Sequence, residues 1–160
     1  MKITDSDPLF PVRKILVATD GSENANRAVE AAAALAKQFD CELVILNVIA
    51  TMVPPVYFSR GFSFPADEYY SKYFEEAGKR AATLVNEAVK DTKLAGVNAR
   101  GVYLRSTLSV AEAIMEYATK EDVSLIVVGT RGNGGFERLL LGSVSSAIVS
   151  HAHCAVLVVR

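Results

Sequence analysis

Four short runs of consecutive apolar residues, rich in β-branched side chains, punctuate the chain: KILVAT (Lys14 to Thr19), ELVILNV (Glu42 to Val48), SLIVVG (Ser124 to Gly129) and AVLVV (Ala155 to Val159). They are too short and too continuous for amphipathic helices, and they suit parallel strands covered on both faces. A fifth run, NARGVYL (Asn98 to Leu104), alternates and reads as a less buried strand. Between the runs lie stripes at helical spacing. Ala25, Val29, Ala32, Ala36 and Phe39 form one, and Tyr70, Phe74, Ala77, Ala81, Leu84 and Ala88 a second. Val110, Ile114, Tyr117 and Ala118 form a third, and Ser143 is placed to N-cap a short fourth helix carrying Val144 and Ile148. Strand and helix alternate throughout, with no internal repeat and no linker. That pattern predicts a single α/β domain over residues 13–160, after a tail over 1–12, with right-handed crossovers and helices on both faces of a parallel sheet.

One segment breaks the rhythm. IATMVPPVYFSRGFSFPADE (Ile49 to Glu68) reads as a strand exit followed by an unusually long loop with paired prolines. Loops of this length are usually functional or disordered, but Tyr57, Phe58, Phe62 and Phe64 argue for burial against something. An ordered loop packed on its own domain is one reading; a lid over a ligand, or a surface for a partner, is the other.

Composition narrows the field. A chain of 160 residues, 51% hydrophobic and 22% charged, is long enough for one real core. A net charge of −1 gives no electrostatic case for nucleic acid or an anionic membrane, so any anion site must be local. No window approaches a membrane span, and MKITDSDPLFPVR lacks the apolar core of a signal peptide, so a cytoplasmic protein is expected. Cys41 and Cys154 form no CxxC and read as small buried hydrophobes in a reducing compartment.

The candidate chemistry lies in GTRGNGGFERLLLGS (Gly129 to Ser143), a glycine-rich loop between a buried strand and a helix start. Free backbone N–H groups and the helix dipole at such a start favour phosphate. Gly132 and Gly142 would let the main chain approach a ligand closely, Ser143 adds a hydroxyl, and Ser145 follows one step on. A turn that merely joins two elements is the plainer reading, which glycines at both ends of the loop disfavour. In doubly wound sheets, ligands bind beyond the carboxyl ends of the strands where strand order reverses. If the first strand neighbours the fourth, ATDGS (Ala18 to Ser22) faces the glycine loop. Asp20 could then accept from a ribose hydroxyl or adenine, or reach a metal, or simply cap the first helix.

The spacing Gly129-x-x-Gly132, nine residues, then Gly142-Ser143 resembles the signature G-x2-G-x9-G-[ST] of the universal stress protein family. The likeness extends along nearly the whole chain, through KILVATDGSENANRAVEAAAALAK, LVILNVI and LIVVGTRG…LLLGSVSSAIVSHAHCAVLVV. The resemblance implies a doubly wound, five-stranded parallel sheet of order 3-2-1-4-5, akin to the adenine nucleotide alpha hydrolases. It implies ATP, or AMP or ADP, as bound ligand, with Mg²⁺ as a potential companion of the triphosphate. By motif position, Ala18, Thr19 and Asp20 would line the adenosine end, and the backbone of Val48 would meet adenine. Gly129, Gly132, Gly142, Ser143, Val144 and Ser145 would surround ribose and phosphates, with Asn133 as a further phosphate contact. Asn133, Gly134 and Gly135 make the spacer looser than the family usually shows. Arg131 is placed to meet a phosphate or to lie solvated, and Arg138 is a weaker candidate.

Catalysis is harder to read. There is no G-x4-GK[ST] and no obvious base for an attacking water; Asp20 and Glu137 are the nearest options, and Glu137 reads more simply as a solvated loop residue. His151 and His153, beside Cys154, lack any established metal spacing. The leading expectation is therefore a non-catalytic adenine-nucleotide sensor or regulator in a stress response. The rivals are a slow metal-dependent ATPase or phosphotransferase, and a nucleotide-free dimeric assembly module. A substrate-adenylylating hydrolase ranks lower, since TDGSEN is not its glycine-and-serine loop. The closing strand AVLVV has nothing after it to cover its edge, and the family commonly dimerises there, so a homodimer is expected.

Overall fold

The computed structural model describes residues 12–51, 66–132 and 141–160. Five strands, β1 (Lys14–Ala18), β2 (Glu42–Ala50), β3 (Ala99–Ser106), β4 (Leu125–Gly129) and β5 (Ala155–Val159), form one sheet of order β3-β2-β1-β4-β5. Every neighbouring pair is parallel. Four helices alternate with them: α1 (Glu23–Phe39), α2 (Ala66–Leu94), α3 (Val110–Lys120) and α4 (Ser143–His151).

Side chains alternate across each strand and so build two cores. On one face Ile15, Val17, Leu43, Ile45, Leu125 and Val127 pack against α1 and α2; on the other Leu16, Val44, Leu46, Ile126 and Val128 pack against α3 and α4. Burial on both faces explains why these strands read as continuous apolar runs. At the edge, β3 alternates instead: Tyr103 and Arg105 are exposed while Val102 and Leu104 are half-buried. The buried positions of α1 are mostly alanines, Ala25, Ala28, Ala32 and Ala36, which lets the helix lie close on the sheet.

The structure corrects several expectations. Phe39 does not join the buried stripe of α1: it is 48% exposed, in the last turn before the chain leaves through Asp40 in the left-handed conformation (φ 50°). β2 runs to Ala50 because Val48, Ile49 and Ala50 still pair with Leu104, Arg105 and Ser106, so the long connection starts later than Ile49. Its far end is helical from Ala66. The aromatic residues Tyr57, Phe58, Phe62 and Phe64 lie outside the described residues. Cys41 and Cys154 are half-buried rather than buried; their thiols are free, and they pack in the two different cores. Desolvation raises the pKa of each.

A charge network closes the amino-terminal ends of the strands. Lys14 and Arg100, near the starts of β1 and β3, each pair with Glu42 at the start of β2 and with Glu121, which follows α3. Arg100 donates to Glu42 and Glu121, both at 2.6 Å, and to the Tyr117 hydroxyl at 2.8 Å. Burial works against the Arg100 charge, but its hydrogen bonds to Glu42 and Tyr117 outweigh that and hold its pKa above the usual range. The opposite, carboxyl ends of the strands are left for the site.

Candidate functional site

Strand order reverses between β1 and β4, and a cavity of about 560 Å³ opens there beyond their carboxyl ends. Ala18, Thr19 and Asp20 enter it from β1, Val48 from β2, and Gly129, Arg131 and Gly132 from the end of β4. Gly142, Ser143, Val144 and Ser145 complete it from the start of α4. Eleven of the twelve residues singled out in the sequence thus line one space; Asn133 lies outside the described residues, as do Glu137 and Arg138.

Local geometry fixes the β1 side. Thr19 is 5% exposed; its N–H donates to the Leu46 carbonyl at 2.9 Å and its Oγ1 accepts from Gly21 N at 3.2 Å. Gly21 has a φ of 79°, which turns the chain sharply into α1. The cap of α1 is Ser22, whose hydroxyl accepts from Ala25 N at 3.3 Å. Asp20 is therefore not the capping residue; its Oδ1 accepts from Ser22 N at 3.0 Å and so orders the turn ahead of the helix.

The glycines meet this turn directly. A Cβ on Gly129 would stand 2.9 Å from the backbone of Asn24 in α1, so the loop can leave β4 only because that atom is missing. A Cβ on Gly132 would stand 2.3 Å from Asp20 Oδ2. The missing Cβ at Gly132 thus leaves room for a carboxylate of the chain itself.

α4 starts one residue earlier than its sequence suggests. Gly142, extended at φ −73° and ψ 168°, is the N-cap, and its carbonyl accepts from Ser146 N at 2.9 Å. Ser143 is the first helical residue and caps nothing, because a cap must precede the helical dihedrals. Gly142 N donates to the Thr130 carbonyl at 2.7 Å. Among the described residues no side chain caps α4, whereas serines cap α1 and α3. The N–H groups of Ser143, Val144 and Ser145 consequently have no acceptor among the described residues. Ser145 is 3% exposed and its hydroxyl donates to the carbonyls of Thr130 (2.9 Å) and Gly142 (3.1 Å), tying the two ends of the loop together. Its hydroxyl proton is committed to the loop; its N–H is not.

Sequence reasoning missed part of the lining. Leu46, Val128, Val110 and Ile114 form an apolar wall with Val48, and Ala25 and Asn47 also reach the cavity. Strand parity was the available signal for the wall, since Leu46 and Val128 share the α3-facing side with Leu16 and Val44. Asn47 announced itself as the one polar residue inside LVILNVI. The arrangement joins an apolar slot suited to a flat ring with a set of backbone donors suited to an anion. Among the described residues no three His, Cys, Asp or Glu side chains are grouped to hold a metal ion, and no helix is long and apolar enough to cross a membrane. His151 Nδ1 lies 3.0 Å from the Ala147 carbonyl.

Comparison with known proteins agrees with this architecture. A sequence model of the universal stress protein family matches residues 11–160. Universal stress protein YxiE of Bacillus subtilis is 34% identical over 147 residues, covering 92% of this chain and 98% of the relative. Universal stress protein UspA from Lactobacillus plantarum superposes with a TM-score of 0.77 at 24% identity, over 93% of this chain and 98% of its own. A universal stress protein in complex with cAMP superposes with a TM-score of 0.68 at 25% identity, over 94% and 98% of the two chains.

Proposed function

This chain belongs to the universal stress protein family, and from that premise we propose that it binds an adenine nucleotide, ATP or AMP, as a regulatory ligand in a stress response. The observation that carries the reading is the start of α4, whose first three N–H groups, without an acceptor among the described residues, border the cavity. The positive end of the helix dipole supports an anion there, and Arg131, half-buried in the lining, adds the one side-chain cation among the described lining residues. The apolar wall of Leu46, Val48, Val110, Ile114 and Val128 takes the base, with the main chain of Val48 as its hydrogen-bonding edge. Ala18, Thr19 and Asp20 sit at the nucleoside end, where the Asp20 carboxylate suits ribose hydroxyls rather than phosphate. Gly129 and Gly132 carry the loop around ribose and phosphates, Gly132 at the nucleoside end beside Asp20, and Asn133, outside the described residues, is offered as a further phosphate contact. Mg²⁺ would arrive with the triphosphate, whose charge a single arginine and one helix terminus balance only in part. The nucleotide acts as a signal, not a substrate, in a cytoplasmic homodimer paired through β5. A relative solved with cAMP supports a site for a phosphorylated adenosine in this fold.

Denaturing the freshly purified protein and identifying what it releases tests the reading. ATP, ADP or AMP near one per chain is expected, or binding on titration where none co-purifies. Gly142→Asp sharpens the test: a Cβ there meets only ordinary contacts, at 3.4 Å or more, and the carboxylate both caps α4 and occupies its anion site. The variant should melt at or above the wild-type temperature, bind ATP and AMP about tenfold or more weakly, and keep its adenosine affinity. Wild-type protein that neither carries nor binds nucleotide would sink the proposal. Conversion of ATP to ADP with Mg²⁺ would replace a regulatory ligand with a hydrolysed one.

A further inference from the structure

One polar side chain in the cavity has no part in nucleotide contact as described above. Asn47 lies in β2 between Leu46 and Val48, half-buried in an otherwise apolar strand. A carboxamide there costs free energy unless it is hydrogen-bonded. Its Nδ2 donates to the Thr19 carbonyl at 2.7 Å. Thr19 stands just past the end of β1, where regular pairing with β2 stops at Ala18 and Leu46. Its N–H still reaches the Leu46 carbonyl at 2.9 Å, so β2 holds Thr19 at both main-chain polar atoms, once by backbone and once by Asn47.

That carbonyl belongs to the same rigid peptide plane as the Asp20 N–H. Fixing its oxygen therefore fixes how Asp20 leaves the strand. Asp20 in turn orders Ser22 N through Oδ1 and lies through Oδ2 where a Cβ on Gly132 would come within 2.3 Å. A continuous set of contacts thus runs from Asn47 through the Thr19–Asp20 peptide to the glycine loop. Loss of the first contact frees the plane to rotate and moves the carboxylate relative to Gly132.

We propose that Asn47 is a positioning residue of the nucleotide site: by clamping the Thr19 carbonyl it sets the register between Asp20 and Gly132 at the nucleoside end of the cavity. The inference rests on the nucleotide reading above. Because the clamp lies on the β1–β2 side, away from the donors of α4, its effect is independent of the phosphate chain. Adenosine, AMP and ATP should all weaken by one common factor.

Isothermal titration of the full chain with these three ligands provides the test, at a temperature where each variant keeps its native circular dichroism. Asn47→Leu removes the donor at similar bulk, and Asn47→Asp keeps the shape but offers only acceptors. Both should bind all three ligands about tenfold more weakly, the equivalent of one lost hydrogen bond. Asn47→His restores a donor, since its Nδ1 stands as many bonds from the main chain as the Asn Nδ2, and should recover most of that tenfold. Gly142→Asp is the comparator that spares adenosine. Unchanged dissociation constants in the Leu and Asp variants, with only the melting temperature lowered, would show a purely structural clamp and overturn the inference. A loss confined to ATP would overturn it too. Wild-type protein that binds none of the three overturns the nucleotide reading itself, and the inference with it.

Discussion

The glycines of the loop differ in what each requires. At Gly129 a methyl group would press on the Asn24 main chain at 2.9 Å, and a helix backbone cannot rotate away. At Gly132 the obstacle is the end of the Asp20 side chain, which can turn aside. At Gly142 the nearest atom, the Thr130 carbonyl oxygen, would be at 3.4 Å, an ordinary contact. Gly129→Ala should therefore destabilise the fold by about 1–3 kcal/mol through overpacking, a fall in Tm of roughly 3–10 °C for a chain of this size. Gly142→Ala should melt within about 2 °C of the wild type, given that it meets no such overlap. Calorimetric melts of the two variants side by side decide the matter, and equal melting temperatures would refute the assignment of Gly129 to close packing. The spacing of these glycines was legible in the sequence, and the structure brings all three to the lining of one cavity. Their individual partners were not, because Asn24 and Asp20 sit far away along the chain and are brought over only by the β1–β4 pairing.

At the scale of elements, strands were the most legible features, since burial on both faces writes an unbroken apolar run. Helix stripes were legible where the helix lies flat on the sheet and failed at Phe39, where the helix ends. Caps were the weak point: Ser22 and Ser109 take the role, while Ser143 and Asp20, equally good by residue type, do not. The network of Lys14, Glu42, Arg100 and Glu121 was not legible at all, because it joins the starts of three strands to the end of α3. Its consequence is measurable. The hydrogen bond from Lys14, aided by Arg100, holds the Glu121 carboxyl below its ordinary value of 4.5. A depressed folded-state pKa contributes stability that is present above the unfolded value and lost as pH falls through the folded one. Tm should accordingly decline on acidification below 4.5, and Glu121→Gln, which cannot titrate, should decline less steeply over the same range. Parallel Tm–pH curves for the two proteins would remove Glu121 from the account.

For the molecule as a whole, the topology separates two ends: a closed charge network where the strands begin and a cavity where they finish. It also leaves β5 at one edge, with every residue partly exposed although β4 beside it is almost wholly buried. An apolar edge of this kind is a template for a second chain, and a two-fold axis would pair β5 with its own copy in antiparallel fashion. The direction of each backbone group follows from one bond. Thr130 N donates to the Val159 carbonyl at 2.7 Å, so the polar groups of Val159 face the β4 side. Successive residues in a strand point their N–H and C=O to opposite edges, which turns those of Val158 outward. Proline at 158 would thus delete an outward donor and add ring bulk at the open edge, while sparing the ladder to β4. Sedimentation equilibrium is expected to give twice the chain mass for the wild type and the single chain mass for Val158→Pro, with the near-native circular dichroism of a folded monomer. A wild-type monomer, or a Val158→Pro protein that is still dimeric, would place the assembly surface elsewhere or nowhere. Unchanged nucleotide affinity in that monomer would mean that the cavity, lined from β1, β2, β4, α1, α3 and α4, is complete within one chain.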